Sequence, residues 1–241
     1  MGHILVTGSS RGIGRAALES LAARGAKVIG HASRLAPSQA GDAPIIAADF
    51  GDPLAAQSLW EQALDIADGE IDVVVNNAGR FEANRLDRSD IEWLDAWEDT
   101  LRVNLTSAAQ LSRFAVNHWH ERSFGGRLVH VASRAAYRGD SPAHWHYAAA
   151  KSGMIGMHKT IARAYAKDGI LSFAVTPGFT DTSMADDYLA SRGGPGLLAD
   201  IPLGRVATPD EIAAIIAFCA LDAPPSMTGA VIDANGASFV R

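Results

Sequence analysis

The alternation of apolar strands and amphipathic helices is the feature that most constrains the fold of this 241-residue chain. Seven short β-branched runs are separated by longer stretches with helical periodicity. Some runs are apolar at successive positions, as in Val73-Val74-Val75, which is typical of strands buried on both faces. The pattern predicts right-handed βαβ units, and therefore an α/β fold with one parallel sheet and helices on both faces.

The predicted elements follow each other without a linker, a repeat or a low-complexity block. The strands are predicted at His3–Thr7, Lys27–His31, Ile45–Ala48, Ile71–Val75, Arg127–Ala132, Ile170–Val175 and Val231–Asp233. The helices are predicted at Ile13–Arg24, Pro53–Ala67, Trp93–Glu121, Trp145–Lys167 and Pro209–Leu221. We therefore expect residues 1–241 to form a single domain. The irregular stretch 179–204 interrupts the alternation and is either a substrate flap or an ordinary surface excursion.

Composition excludes several classes of protein. The chain is 48% hydrophobic and 20% charged, which suits a globular core and not a disordered polymer. Its formal net charge is −6 and it has no basic run, so we expect no nucleic-acid partner and no membrane partner. Cys219 is the single cysteine, which rules out an internal disulfide. With no signal-peptide pattern at its start, the chain is expected to be cytoplasmic.

A glycine-rich turn follows the first predicted strand and opens the first predicted helix. Its spacing is Gly8-x-x-x-Gly12-x-Gly14, with Ser10, Arg11 and Ile13 between the glycines. Glycines at such a turn let the backbone approach a pyrophosphate, and the free N–H groups of the helix start bind the anion. The position of the turn in a βαβ unit favours dinucleotide binding over an ordinary tight turn.

Two further segments lie at predicted carboxyl ends of strands, where ligands bind in doubly wound sheets. Asn76-Asn77-Ala78-Gly79 ends the fourth strand and either pins a loop beside a cofactor or forms a plain Asn-Gly turn. Ser133 ends the fifth strand, where a hydroxyl can donate to a developing oxyanion. Tyr147 and Lys151 lie four apart on one helix face, and a nearby ammonium is expected to lower the tyrosine pKa.

Together these segments resemble the short-chain dehydrogenase/reductase family over essentially the whole chain. The resemblance includes Val103-Asn104 and Pro177-Gly178 as well as the glycine turn, the Asn-Ala-Gly segment and Tyr147-x-x-x-Lys151. It implies a Rossmann-like, doubly wound sheet of about seven strands. It also implies a homo-oligomer, which is expected to be a tetramer. The long predicted helices support this, because they carry more apolar surface than packing against one face of the sheet would bury.

The resemblance further implies the role of each site residue. Tyr147 is the expected general acid/base, Ser133 bonds the substrate oxygen, Lys151 lowers the tyrosine pKa and holds the nicotinamide ribose, and Asn104 holds a water that relays protons. The expected cofactor-binding residues are Gly8, Ser10, Arg11, Gly12, Ile13, Gly14, Ser33, Arg34, Asp49, Phe50, Asn77, Ala78, Gly79, Tyr147, Lys151, Pro177, Gly178 and Thr182. Asp49 is expected to contact the adenine, and Thr182 to lie near the nicotinamide carboxamide.

The end of the second predicted strand indicates NADP(H), with NAD(H) as the alternative. A fold that prefers NAD places an acidic residue there, about 20 positions past the first glycines. In this chain the strand ends in His31 and Ser33-Arg34 follow, with no carboxylate until Asp42. A guanidinium can hold a ribose 2′-phosphate with two hydrogen bonds, so Arg34, assisted by Arg11 and Ser33, favours the phosphorylated cofactor.

Three functions remain open from the sequence. The first is an oxidoreductase that moves a hydride between a nicotinamide cofactor and a small-molecule alcohol or carbonyl, with 3-oxoacyl-carrier-protein reductases as its nearest resemblance. The second is a catalytically silent dinucleotide-sensing module. The third is an epimerase or dehydratase, which generally needs a larger substrate domain. No metal is expected, because His118-x-His120 and His144-x-His146 lack a Cys, Asp or Glu cluster at ligand spacing.

Overall fold

A seven-stranded parallel sheet organises the computed structural model, which describes residues 2–34, 43–181 and 198–241. The spatial order is β3-β2-β1-β4-β5-β6-β7, and every neighbouring pair is parallel. The strands are β1 His3–Val6, β2 Val28–Ala32, β3 Ile45–Ala47, β4 Ile71–Asn76, β5 Gly126–Val131, β6 Ile170–Pro177 and β7 Val231–Ala234. The predicted α/β class is confirmed, and the predicted strand ends agree with the structure to within two residues.

Helices cover both faces of this sheet. They are α1 Gly12–Ala23, α2 Ala55–Ile66, α3 Asp90–Leu101, α4 Ser107–Glu121, α5 Ala135–Arg138, α6 Trp145–Tyr165 and α7 Pro209–Ala217. Helices α1 and α7 pack one apolar core against the sheet, and α2, α4 and α6 pack a second core on the opposite face. Chain connections leave β1 and β4 in opposite directions along the sheet, so a crevice opens at their carboxyl ends.

The predicted helix Trp93–Glu121 is wrong in its start and in its continuity. Helix α3 begins at Asp90, because the Ser89 hydroxyl accepts from the Glu92 amide at 3.4 Å while the Glu92 carboxylate accepts from the Ser89 amide at 3.1 Å. This capping box satisfies two amides of the first turn. A π-helical turn, Arg102–Thr106, then separates α3 from α4. Such turns commonly occur at functional sites, and this one contains Asn104.

Two other helical elements differ from the predictions by more than two residues. The short helix α5 was not predicted, because four residues carry no readable periodicity. The predicted helix Pro209–Leu221 ends at Ala217 and continues as a π-helical turn, Phe218–Asp222. Across the described residues, no helix combines the length and the apolar character needed to cross a membrane.

Candidate active site

A cavity of about 490 Å³ lies at the carboxyl ends of the strands. Turns after β1, β2, β3, β4, β5 and β6 contribute to its walls. The predicted site residues that line it are Gly8, Ser10, Arg11, Gly12, Ile13, Gly14, Ser33, Arg34, Asp49, Phe50, Asn77, Ala78, Gly79, Ser133, Tyr147, Lys151, Pro177 and Gly178. Asn104 lies behind the wall, and Thr182 falls outside the described residues.

The glycine turn after β1 is closely packed against the turn after β4. Gly8 and Gly12 have φ angles of +65° and +55°, which favour glycine. A side chain at Gly14 would overlap the Gly8 carbonyl and the Asn77 amide. The turn therefore needs glycine at these positions for its own geometry, and it presents backbone N–H groups at the start of α1.

The Asn77 segment is pinned to the end of β1. The Asn77 amide nitrogen Nδ2 donates to the Thr7 carbonyl at 2.9 Å and to the Gly8 carbonyl at 3.2 Å. The Thr7 hydroxyl accepts from the backbone amides of Asn77 and Ala78 at 2.9 and 3.0 Å. The sequence left two interpretations of this segment open, and these bonds correspond to the one in which Asn77 pins a loop. Thr7 is a contributor that the sequence reasoning missed.

His31 closes the end of β2 and supports the glycine turn. Its Nδ1 accepts from the Gly8 amide at 3.0 Å, and its Nε2 lies 2.7 Å from the Ala48 carbonyl, so Nε2 carries the proton. The ring stacks on Phe50 with centroids 4.3 Å apart. Burial lowers the His31 pKa, which keeps the ring neutral. A neutral ring therefore stands where NAD-preferring sites carry a carboxylate.

Tyr147 and Lys151 meet Ser133 at the opposite end of the cavity. Helix α6 places both side chains on the cavity side, and the Tyr147 phenol hydrogen-bonds the Ser133 hydroxyl. Lys151 Nζ donates to the Val131 carbonyl at 2.8 Å and lies 5.8 Å from the centre of the Tyr147 ring. The end of β5 therefore carries two groups of the site. The Ser133 hydroxyl contacts the Tyr147 phenol, and the Val131 carbonyl holds the ammonium.

The structure corrects the expected shift of the tyrosine pKa. Burial raises the Tyr147 pKa to about 12, and the hydrogen bond from Ser133 opposes this only in part. Burial also lowers the Lys151 pKa to about 8. Desolvation is the largest cause of both shifts, and the Val131 carbonyl holds the Lys151 ammonium. Tyr147 is therefore a protonated donor at neutral pH.

Asn104 anchors the loop that passes beside Lys151. Its Oδ1 accepts from the Arg80 amide at 2.8 Å, and its Nδ2 donates to the Arg80 carbonyl at 2.9 Å. A Cβ built on Gly79 would lie 3.4 Å from Asn104 Oδ1 and 3.6 Å from Lys151 Nζ. The π turn therefore places the buried Asn104 side chain next to Gly79, and Gly79 lies between Asn104 and Lys151.

Aromatic and charged side chains outside the predicted site residues complete the cavity. Phe81 stacks on His144 with centroids 4.0 Å apart and meets the Tyr147 ring edge-on at 4.7 Å. Arg134, directly after Ser133, lies over the Phe179 ring at 4.6 Å. The sequence indicates Phe81, Arg134 and Phe179 only by their position, since each follows a strand-end motif within two residues. Among residues 2–34, 43–181 and 198–241, no three His, Cys, Asp or Glu side chains group as metal ligands.

Comparisons with known proteins identify the class. Residues 8–236 match the model of a family described as enoyl-(acyl carrier protein) reductase. The 3-oxoacyl-[acyl-carrier-protein] reductase FabG of Escherichia coli is 38% identical over 246 residues, covering 98% of this chain and 96% of that protein. The corresponding Synechocystis reductase is 35% identical, covering 96% and 94%. The chain belongs to the short-chain dehydrogenase/reductase family and resembles its 3-oxoacyl-carrier-protein reductases.

Solved structures agree with this assignment. An Agrobacterium tumefaciens protein assigned as a 2-deoxy-D-gluconate 3-dehydrogenase, with bound NADP, superposes with a TM-score of 0.86 at 29% identity, covering 100% of this chain and 97% of that chain. A Beutenbergia cavernae protein assigned as an NAD(P)-dependent gluconate 5-dehydrogenase, also with NADP, gives 0.87 at 29% identity, covering 98% and 95%.

The class and the cavity together define the reaction type. The chain is an NAD(P)-dependent oxidoreductase acting on CH–OH or C=O groups. The residues present fit a nicotinamide dinucleotide: the glycine turn offers backbone donors, Ser10 and Ser33 offer hydroxyls, and Arg11 and Arg34 offer guanidinium groups to its phosphates.

Proposed function

We propose that Ser133, Tyr147, Lys151 and Asn104 are the catalytic set with which this enzyme interconverts an alcohol and a carbonyl. The observation that carries the proposal is the half-buried Tyr147 phenol, bonded to the Ser133 hydroxyl and kept protonated by its pKa of about 12. A carbonyl oxygen that gains negative charge needs a proton donor and a second hydrogen-bond donor at that position.

In the reducing direction, Tyr147 gives its proton to the carbonyl oxygen while Ser133 donates a hydrogen bond to the same atom. A nicotinamide cofactor, when bound, supplies or accepts the hydride. In the oxidising direction, the Tyr147 phenolate takes the proton of the alcohol. Because the pKa of Tyr147 is high, the phenolate must be stabilised by a nearby positive charge, and the Lys151 ammonium supplies that charge.

Lys151 and Asn104 support the proton path in this proposal. Lys151 also holds the nicotinamide ribose, with the Val131 carbonyl fixing its ammonium. Asn104 holds a water that relays protons through Lys151, next to the Gly79–Arg80 segment that its amide anchors. The adjacency of Asn104, Gly79 and Lys151 supports this assignment.

The proposed cofactor is NADP(H) in preference to NAD(H). Support comes from the neutral His31 at the end of β2 and from Ser33, Arg34 and Arg11, which line the same end of the cavity. The proposal assigns the pyrophosphate to the Gly8–Gly14 turn, the adenine end to Asp49 and Phe50, and the nicotinamide end to Asn77, Ala78, Gly79, Pro177, Gly178 and Thr182. The ratio of the two dissociation constants, at fixed ionic strength, tests the preference.

A 3-oxoacyl-carrier-protein substrate is the second candidate, supported by the FabG relatives. An acidic carrier protein would need a basic rim, which the net charge of −6 does not favour. The proposed substrate is therefore a small-molecule carbonyl or alcohol. A silent sensing module remains the contrasting outcome, although the complete set of Ser133, Tyr147 and Lys151 is more than a sensor needs.

The proposed assembly is a homotetramer of single-domain chains. Residues 179–204 are the proposed substrate flap, of which residues 182–197 lie outside the described part of the chain. Exposed apolar side chains on α3 and α6 support an oligomer, since Ile91 is 74% exposed and Trp145 is 52% exposed. Light scattering at micromolar concentration tests it. A mass equal to that of one chain would overturn the oligomer.

The function itself is tested by a substrate screen. Purified protein is incubated with each cofactor and a panel of carbonyls and alcohols, and nicotinamide absorbance is followed. Turnover that depends on Tyr147 is the expected result. Tight cofactor binding without turnover of any compound would instead support the sensing module.

A further inference from the structure

Asn84 is the buried residue of loop 77–89, which joins β4 to α3. The other residues of this loop are half-buried or exposed, whereas Asn84 is only 4% exposed. The same loop carries Phe81 into the wall of the cavity. A buried polar side chain needs hydrogen-bond partners inside the protein. Asn84 is therefore the point at which this loop is fastened to the rest of the fold.

Three hydrogen bonds fasten Asn84. Its backbone amide donates to the Ala143 carbonyl at 2.8 Å, which connects the loop to the turn before α6. Its side-chain Nδ2 donates to the Trp93 carbonyl at 2.9 Å, in the first turn of α3. Its Oδ1 accepts from Arg88 Nη1 at 3.4 Å. An alanine at this position would keep the backbone bond and lose both side-chain bonds.

The bond to Ala143 determines how the Phe81 ring meets Tyr147. His144 follows Ala143 in the chain, and the Phe81 ring stacks on His144 with centroids 4.0 Å apart. The Phe81 ring also meets the Tyr147 ring edge-on, with centroids 4.7 Å apart. A displacement of the loop against this turn would therefore move Phe81 relative to the tyrosine.

The bond to Trp93 holds the loop to the helices beside the site. The Trp93 ring meets the Trp145 ring edge-on with centroids 6.4 Å apart, and Trp145 is the first residue of α6. Tyr147 lies two residues further along the same helix. The Asn84 side chain therefore ties the loop to α3 at the place where α3 contacts the start of the helix that carries Tyr147.

We propose that Asn84 is a positioning residue, which holds loop 77–89 where the Phe81 ring keeps the Tyr147 phenol directed at Ser133. Misplacement of a reacting group by about 1 Å can cost about 100-fold in rate. Among the described residues, the lining of the cavity does not include Asn84, so Asn84 acts through Phe81 and not on the substrate. The inference rests on the proposed function, in which Tyr147 is the proton donor.

The first test compares the crystal structures and the kinetics of the wild type and Asn84→Ala. The edge-on contact between the Phe81 and Tyr147 rings should be present in the wild type and lost in the variant. With the substrate that the screen identifies, kcat should fall about 10-fold or more, and the dissociation constant of NADP(H) should stay close to that of the wild type. An unchanged kcat, or a lower kcat with the Phe81 ring unmoved, would overturn the proposal.

Trp119→Phe is the matched control, because it also removes a buried side-chain donor to a backbone carbonyl. Trp119 Nε1 donates to the Ile71 carbonyl at 2.7 Å, and Ile71 begins β4 at the end of the sheet opposite the cavity. This variant should be less stable in denaturant unfolding, with kcat and the Phe81 contact as in the wild type. An equal fall of kcat in Trp119→Phe and Asn84→Ala would assign the effect to general destabilisation and overturn the proposal.

The second test is a double-mutant cycle on kcat with Phe81→Leu, which removes the aromatic ring. If Asn84 acts through Phe81, the double variant should lose no more activity than Phe81→Leu alone, since the two residues then share one effect. Losses that multiply would show that Asn84 acts independently of Phe81 and would contradict the proposal. Asn84→Ser, which keeps a short polar side chain, replaces Asn84→Ala in both tests if the alanine variant does not fold.

Failure of the proposed function gives a different result. It would appear as unchanged turnover in Tyr147→Phe, whereas the displacement of Phe81 in the crystal structure of Asn84→Ala does not depend on turnover.

Discussion

The two ends of the cavity are constructed in different ways. At the end proposed for the cofactor, the turns after β1 and β4 hold each other through hydrogen bonds to backbone groups, as in the bonds from the Asn77 side chain to the carbonyls of Thr7 and Gly8. At the substrate end, side chains do this work: the Phe81 ring contacts His144 and Tyr147, and Phe179 lies under the Arg134 guanidinium.

This difference explains which substitutions each end of the cavity can tolerate. A turn in which glycines pack this closely fails when one of them gains a side chain, so its sequence is restricted and readable. A wall made from side chains can change its chemistry without changing the fold. The glycine turn therefore identifies the family, and in the proposed function the side-chain wall decides which carbonyl compound reacts.

Tyr147→Phe should give the largest effect and separate the two ends. The substitution keeps the ring against Phe81 and removes the proton donor, so kcat should fall by about 10²–10⁴-fold. The dissociation constant of NADP(H), measured by fluorescence titration, should stay close to that of the wild type. Near-normal turnover would show that Tyr147 is not the acid.

Gly14→Ala should damage the cofactor end. The added methyl group would overlap the Gly8 carbonyl, and overpacking of this kind costs about 1–3 kcal/mol. We expect lower stability in denaturant unfolding and weaker binding of both cofactors. The control is Gly156→Ala on α6, where the new Cβ has no neighbour within 4 Å. It should stabilise the chain by about 0.5–1 kcal/mol, and equal losses in both variants would refute the explanation.

The pH profile of reduction should report Lys151. Its lowered pKa, about 8, means that the ammonium charge is lost above that pH, whereas Tyr147 stays protonated to about pH 12. We expect kcat/KM to fall by about tenfold per pH unit above pH 8. Unfolding does not cause this fall. The Lys151 pKa is about 8 in the folded chain and 10.5 in the unfolded chain, so the free energy of unfolding rises between these pH values.

A variant sharpens this prediction. Lys151→Arg keeps its charge throughout this range, so any activity that it retains should lack the alkaline decline. The measurement is the kcat/KM profile of both proteins in the same buffers. An identical decline in the variant would assign the titration to another group.

Arg34→Gln should give the smallest effect and act on one cofactor only. Loss of a charge-assisted bond to the ribose phosphate should weaken NADP(H) binding by about 10-fold and leave NAD(H) binding unchanged. Arg15→Gln is the control, because Arg15 is exposed on α1 and paired with Glu19. Equal weakening of both cofactors by Arg34→Gln would contradict the proposed preference.

The sequence predicted the sheet well because buried parallel strands and glycine turns leave direct signals. All seven strands were found, and the predicted site residues that line the cavity come from turns far apart in the chain. The capping box at Ser89 and Glu92 was also readable, although the prediction started the helix later, at Trp93.

Other features depend on tertiary structure and could not be read. The π turn that buries Asn104 has no periodicity of its own within a long helical pattern. The sign of the Tyr147 pKa shift depends on burial, which residue spacing does not give. Arg134 and Phe179 each directly follow a strand-end motif, but the contact between them forms only through the fold and could not be read.

Transfer of a deuterium label tests the central claim most directly. NADPH deuterated at its hydride-donating position is mixed with the enzyme and the carbonyl compound that the screen identifies. The account predicts an alcohol product with one deuterium on the former carbonyl carbon and a proton from solvent on its oxygen. An alcohol formed without deuterium on that carbon would contradict it.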